Sequence, residues 1–311
     1  MLITPEAGRE RVESASLGAP AVLAVSGGAD SMVMAAHLVE TEPHQVVAIA
    51  TFDHGTGSVA SESAAMVVAW AHHRGIPVRL GAAGAVRRSE AGWRAARWAF
   101  LREVSEEFGA PIATAHTEDD QAETVFMRLL RHSGVRGLAG LLAPGPVRRP
   151  LLSVSRVAVR EYADSASVAY RDDPTNTDIR FLRNRVRLEL LPRLEREVPG
   201  FRAWLLALGT RAAAWRHDVA GAVDRFWAPE VQDGAARVVV GRDRARDPGH
   251  DEAALFWPEV AGRVGVALDW RGTARLASFT TKREGGLQMP LSGGVRVAAE
   301  RYRWVLERPR G

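Results

Sequence analysis

Apolar and polar positions alternate in blocks along the first half of the chain. Short apolar runs fall at 21–25 (AVLAV), 46–52 (VVAIATF), 76–80 (IPVRL) and 110–115 (APIATA), each of strand length. The segments between them are longer and carry a helical period. Residues 31–40 and 59–74 are rich in Ala, Val and Met. Residues 90–108 set Trp93, Ala96, Phe100, Leu101 and Val104 at helical spacing, and 119–131 put Val125, Leu129 and Leu130 on one side. Strand–helix alternation of this kind predicts an α/β fold with a parallel sheet and helices on both faces. Ligands of such a sheet bind beyond the carboxyl ends of its strands.

The pattern changes after about residue 145, where Gly145, Pro146 and Pro150 punctuate a connection. Residues 180–226 read as mostly helical, broken at Pro199-Gly200. A smaller unit follows: a strand at Val238–Gly241, helices at Asp251–Val264 and Arg271–Thr280, and strands at Val295–Ala299 and Tyr302–Leu306, with a charged loop from Arg242 to Gly249. The expected organisation is a Rossmann-like domain over 1–150, a helical extension over 151–235 and a small α+β domain over 236–311.

Composition narrows the function classes. The 311 residues are 46% hydrophobic and 25% charged, as in ordinary globular proteins. No apolar run reaches about 18 residues, so no membrane span is expected. The N-terminus, MLITPEAGRERVE, lacks the apolar core of a signal peptide, and a cytoplasmic location is the expectation. The absence of cysteine excludes disulfides, thiolate zinc sites and cysteine-held iron–sulfur clusters. Charge is uneven although the net is only +4. Residues 1–123 hold 9 basic and 16 acidic side chains, leaving +11 on the remainder, and residues 124–160 contain seven arginines and no acid. That asymmetry points to a polyanionic partner for the later part of the chain.

The chemistry concentrates where strands end. Ser26-Gly27-Gly28-Ala29-Asp30-Ser31 follows the first strand and opens a helix. Glycines let backbone approach an anion, and unpaired helix-start amides point at it. The string is not a Walker loop, and the only lysine is Lys282. Gly27, Gly28 and the Ala29 backbone are the expected phosphate contacts, with Ser26 and Ser31 as hydroxyl donors. Asp30 makes sense beside phosphate only if Mg2+ bridges the two. The second string is His116-Thr117-Glu118-Asp119-Asp120-Gln121-Ala122-Glu123-Thr124. Asp120 and Glu123 share a helix face, and acids and phosphate together suit magnesium better than zinc. The same acids at a helix start also suit the helix dipole.

Three further stretches complete the candidates. Asp53-His54 ends the second strand and runs into GTGSVA, whose fit to a dinucleotide fingerprint fails because it sits on the wrong strand. Arg94 and Arg97 lie three apart on one helix and could neutralise a leaving pyrophosphate. Arg180, Arg183 and Arg187, downstream of Arg171-Asp172-Asp173-Pro174-Thr175-Asn176, form a basic helical stripe suited to RNA phosphates or an unpaired base. Arg242, Arg244, Arg246, Arg263, Arg271, Arg275, Lys282 and Arg283 spread positive charge over the last unit, which suits backbone contacts with RNA.

The strings SGGADS, FDHG, ARW, HTEDDQAET, RLLRHSGVRGLAGL, RRPLL, DDPTNTD and RFLRNRVRLELLPRL occur in this order over about residues 20–195. Together they resemble the tRNA(Ile)-lysidine synthases of the ATP-pyrophosphatase group, in a short form with one small C-terminal domain. The resemblance implies that ATP adenylates the carbon-2 oxygen of the wobble cytidine of a CAU-anticodon tRNA(Ile). Free L-lysine then displaces AMP through its amine. It further implies Asp30, Asp120, Glu123 and Arg97 as catalytic residues. It places Ser26 through Ser31, Asp53, His54 and His116 around ATP, Asp30 and Asp120 on Mg2+, and Arg131, Arg180, Arg183 and Arg187 on tRNA. Three positions depart from the family: Gly57 where an arginine is usual, Trp98 for tyrosine and His132 for glycine. Within the same group a cytidine 2-thiolation enzyme is the nearest alternative, and its common form needs cysteines. A small-molecule amidating ligase and a non-catalytic RNA-binding module are the others.

Overall fold

The computed structural model describes all residues except 1–4, 56, 84–89, 173, 235, 244–248, 282–284 and 309–311, and only the backbone of 5–7, 90, 91, 174 and 175. Thr56, Asp173, Arg244, Arg246, Lys282, Arg283 and the Glu90 side chain therefore lie outside the described residues. The chain divides into two compact units, Met1–Ala212 and Ala213–Gly311.

The first unit opens with helix α1 (Pro5–Glu13). It continues β1 (Ala21–Ala24), α2 (Ala29–Thr41), β2 (Val46–Asp53), α3 (Ser58–His73), β3 (Val78–Ala82), α4 (Glu90–Phe108), β4 (Ile112–Thr114) and α5 (Glu118–Leu130). The four strands are parallel in the order β3-β2-β1-β4. Side chains of successive strand residues leave the sheet on opposite faces. Leu23, Ile49 and Ala113 accordingly join a core with Val12 of α1, Met32 and Val33 of α2 and Val67 of α3. Val22, Ala48 and Ile112 join a second core with Leu101 and Val104 of α4. The parallel sheet covered on both faces is the architecture expected from the pattern. Strand β3 starts two residues later than the apolar run: Pro77 has no N–H for the ladder, and pairing begins at Val78 opposite Ile49.

After β4 the chain forms α6 (Val135–Leu138) and α7 (Arg156–Ser165). It then forms α8 (Leu182–Arg185), a π-turn at Val186–Leu190, α9 (Leu191–Glu197) and α10 (Phe201–Phe226). The break expected at Pro199-Gly200 separates α9 from α10, and the division between the units falls within α10. Residues 151–212 share one compact unit with the sheet. Helix α7 packs into the first core through Ala158, Val159 and Tyr162.

The second unit holds β5 (Glu230–Gln232), β6 (Arg237–Gly241), α11 (His250–Gly262), α12 (Trp270–Thr280), β7 (Leu287–Pro290), β8 (Arg296–Ala299) and β9 (Arg303–Glu307). Its strands are antiparallel in the order β5-β6-β9-β8-β7. The sequence pattern missed β5 and β7. Both are short edge strands, and their sparse apolar residues give no strong period.

Candidate active site

Strand order places the site. The chain leaves β1 toward β2 and β3, then returns to β4 on the other side of β1. A parallel sheet opens a crevice where its strand order reverses. The loops after β1 and β4 flank a cavity of about 630 Å³. Its lining includes Ser26, Gly28, Ala29, Asp30, Ser31, His54, Arg97, His116, Asp120, Arg156 and Arg187.

The loop after β1 is held by its own polar groups. Ser26 N–H donates to Ser31 Oγ at 3.1 Å, and Ser31 Oγ donates to Gly28 O at 2.9 Å. Gly27 has φ +89°, and a Cβ there would lie 3.0 Å from Ser63 Cβ and 3.1 Å from its carbonyl oxygen. Gly27 thus serves the turn, while Gly28 caps α2 without a side chain. The first-turn amides of α2 have no intrahelical acceptor, the general condition of helix starts. Asp30 sits in that turn. Its Oδ2 lies 3.6 Å from Arg156 Nε, whereas its Oδ1 is buried without a hydrogen-bond partner. Burial pushes the Asp30 carboxyl up to about 6, against the pull of Arg156.

The acids after β4 are held by a ring of arginines. Thr117 caps α5, and its N–H and hydroxyl donate to Asp120 Oδ2 at 2.8 and 3.1 Å. Asp120 Oδ1 accepts from Arg156 Nη2 at 3.1 Å, Arg183 Nη2 at 2.8 Å and Arg187 Nη2 at 3.4 Å. Glu123, 1% exposed, takes Arg183 Nε at 2.9 Å, Arg187 Nε at 2.7 Å and Arg156 Nη1 at 3.3 Å. Asp119 accepts from the Arg156 backbone N–H at 2.7 Å and pairs with Arg202. Burial alone would raise the Asp120 carboxyl, but Arg183 and Arg156 outweigh it and hold it below the usual range.

Several expectations change against this geometry. Arg183 and Arg187 do not form an outward basic stripe: their guanidinium groups turn onto Asp120 and Glu123, because a buried carboxylate needs its counter-ions. Arg180 does face solvent and pairs with Asp178, and Arg131 is exposed at the end of α5. Asp120 does not fit a magnesium ligand, since both its oxygens are already engaged by Thr117 and three arginines. Asp53 is not in the cavity lining. Its oxygens accept from Gly55 N–H at 2.8 Å and Ser61 Oγ at 2.6 Å and close the β2–α3 loop. Gly57, in place of the family arginine, has φ +148° and ψ −180°, a region essentially reserved for glycine. His132, in place of a glycine, sits at φ +54°, which explains why glycine suits that turn.

His54 and His116 both line the cavity. His116 Nδ1 lies 2.8 Å from Thr114 Oγ1, and burial drops the ring to about 4, so it is neutral at pH 7. Arg97 lines the cavity with no carboxylate at ion-pair distance among the described residues, and burial, with Arg94 nearby, lowers its pKa. The residue missed by the sequence reading is Arg156. Its signal was present, because it lies in the acid-free run of 124–160 that balances four acids at 118–123.

A family model described as a PP-loop domain matches residues 11–194, the span that holds the sheet and the whole cavity. The fold and site thus define a PP-loop protein, a class that uses ATP. The tRNA(Ile)-lysidine synthase of Salinispora tropica is 35% identical over 306 residues, covering 89% of this chain and 87% of that protein. That of Thermus thermophilus is 37% identical over 229 residues, 70% of this chain and 43% of the relative. The chain belongs to the tRNA(Ile)-lysidine synthase family. Among solved structures, the U34-tRNA thiolase NcsA of Methanococcus maripaludis superposes with TM-score 0.53 at 19% identity, covering 67% of this chain and 79% of that one. That likeness concerns the fold.

Proposed function

We infer that the chain is an ATP-dependent ligase that makes a carbon–nitrogen bond between lysine and tRNA(Ile). The wobble cytidine of a CAU-anticodon tRNA enters the cavity. Its carbon-2 oxygen attacks the α-phosphorus of ATP and pyrophosphate leaves. The amine of free L-lysine then forms a bond to carbon 2, AMP departs with the oxygen, and the amine loses a proton. Adenylation turns a poor leaving oxygen into a good one. The wobble base can reach the site because a loop nucleotide leaves its stack more readily than a paired one.

The residues divide the work. The first-turn amides of α2 and the Ser26 hydroxyl, on residues that line the cavity, would meet the phosphates. Asp30 Oδ1, buried and unpaired, is the protein atom that would hold a cation accompanying ATP. Mg2+ held there would neutralise the charge that builds on pyrophosphate. Arg97 adds a fixed positive charge free of a carboxylate partner among the described residues. Arg131 and Arg180, both exposed, would meet RNA phosphates, and residues 236–311 would help position the tRNA. The observation that carries this reading is the orphan Asp30 oxygen in the switch-point cavity of a PP-loop fold.

The test is incorporation of labelled lysine into a CAU-anticodon tRNA(Ile) transcript, run beside pyrophosphate release. Release should require tRNA, and without lysine it should stop at about one pyrophosphate per adenylated tRNA. Sustained release without tRNA, or with no lysine entering the RNA when lysine is supplied, would overturn the reading.

A further inference from the structure

The Arg156 guanidinium meets four carboxylates of the site. Arg156 occupies the first position of α7, behind the Ser155 cap, which accepts from Ala158 N–H at 3.2 Å. Its backbone N–H donates to Asp119 Oδ2 at 2.7 Å, so its main chain is fixed to the acid helix α5. Its guanidinium reaches Asp120 Oδ1 at 3.1 Å and Glu123 Oε1 at 3.3 Å, with Nε 3.6 Å from Asp30 Oδ2. Arg183 and Arg187 neutralise the same acid pair from the α8 region, but neither pairs with Asp30. Only Arg156 spans the loop after β1 and the helix after β4 among the described ion pairs.

A carboxylate in a phosphate loop can rotate and present either oxygen. Here one oxygen is turned toward Arg156 and the other is left without a partner. We propose that Arg156 is a positioning residue: anchored in the Asp120–Glu123 pair, it holds Asp30 by Oδ2 and so presents Oδ1 to the cation that accompanies ATP. The planar fork is what the task requires, because the three nitrogens of one rigid group lie within 4.0 Å of four carboxylates, those of Asp30, Asp119, Asp120 and Glu123. A lysine in its place carries the charge on one nitrogen and cannot hold both ends. The inference rests on the ATP-binding reading given above.

Calorimetric binding of Mn2+·ATP to the full chain, without tRNA or lysine, tests it alongside thermal melting. Arg156→Lys should weaken Mn2+·ATP binding by about tenfold or more and leave metal-free ATP binding within about twofold. Arg183→Gln removes one charge from the same acids without touching Asp30. It should lower the melting temperature and leave Mn2+·ATP affinity within about twofold. Wild-type affinity in Arg156→Lys would overturn the proposal, because charge alone would then suffice. Equal loss in Arg183→Gln would also overturn it, because the effect would then belong to the acid pair as a whole. Wild-type protein that binds no ATP would bring down the functional reading and this inference with it. Normal lysine incorporation by the wild type together with unaffected Arg156→Lys binding would remove this inference alone.

Discussion

Both units have apolar cores, but they differ in the polar groups buried beside them. Of the ten buried polar or charged residues described, nine lie in the first unit, and Thr280 is the exception. The second unit instead closes around Trp227, Trp257, Val260, Leu276, Trp304 and Leu306. Two of its tryptophan rings meet edge to face at 5.2 Å. Even Thr280 is spent on structure: it accepts from Trp257 Nε1 at 3.0 Å and donates to the Leu276 carbonyl oxygen at 3.0 Å. Burying Asp119, Asp120 and Glu123 with arginine partners is an inefficient route to stability, since desolvation offsets much of the attraction. Such a cluster makes sense where charges must be held at fixed positions next to reacting phosphates. The antiparallel unit faces no such demand, and apolar packing suffices.

The largest effect that would sharpen this contrast is at Asp30. Asp30→Asn should lower pyrophosphate release by about 100- to 1,000-fold, the scale of a lost electrostatic group. The same change should not destabilise the protein at pH 8. Its carboxyl titrates near 6 when folded against about 3.8 unfolded. The stability it contributes is full below pH 3.8 and is lost as pH rises through 6. Ionised Asp30 therefore costs the fold on the order of 2–3 kcal/mol at pH 8, which asparagine relieves. The kcat/KM for ATP, which reports the free enzyme, should show an acidic limb near pH 6 and none from His116. A variant that releases pyrophosphate normally, or melts earlier at pH 8, breaks the comparison.

Glu123→Gln should lower lysine incorporation by about 100-fold and destabilise the first unit by about 3 kcal/mol, because three arginines lose part of their counter-charge. Earlier melting with full turnover would assign the acids to structure alone. In the second unit, Trp257→Ala should cost about 3–5 kcal/mol, as for a large ring removed from a packed core. ATP affinity should persist. Calorimetry that finds ATP binding lost in step with that unfolding would erase the distinction between the units. The smallest effects belong to exposed arginines. Arg131→Ala and Arg180→Ala should each reduce the salt slope of tRNA binding by about one unit. Arg183→Ala should instead show itself in the melting temperature. An unchanged slope in the first two would remove them from the RNA surface.

The fold of the first unit was legible because its strands are short, apolar and separated by longer helical segments. Leu23 and Val22 had to face opposite sides of the sheet, and both faces found cores. The phosphate loop and the acid helix were legible because glycines and clustered acids at strand ends have few other uses. Arg183 and Arg187 misled because helical spacing reports a shared face and is silent about what that face meets. Asp53 misled for the same reason: its neighbours Gly55 and Ser61, two and eight residues away, claimed both its oxygens. The edge strands β5 and β7 escaped because three or four half-exposed residues carry almost no periodic signal.

By itself the sequence determined the class of sheet, the glycine loop after the first strand, the acid helix and the family to which the chain belongs. Those features are local: each is written in a run of fewer than about twenty residues and in the order of the runs. Tertiary structure decided which charges neutralise one another. Arg156, Arg183 and Arg187 stand 33 to 67 positions from Asp120 and Glu123. A carboxylate's state depends on burial and on charges within a few ångströms, which chain separation does not encode. For that reason Asp30 and Asp120, both read from sequence as magnesium ligands, part company in the fold. One keeps a buried oxygen without a hydrogen-bond partner, and the other has every oxygen engaged.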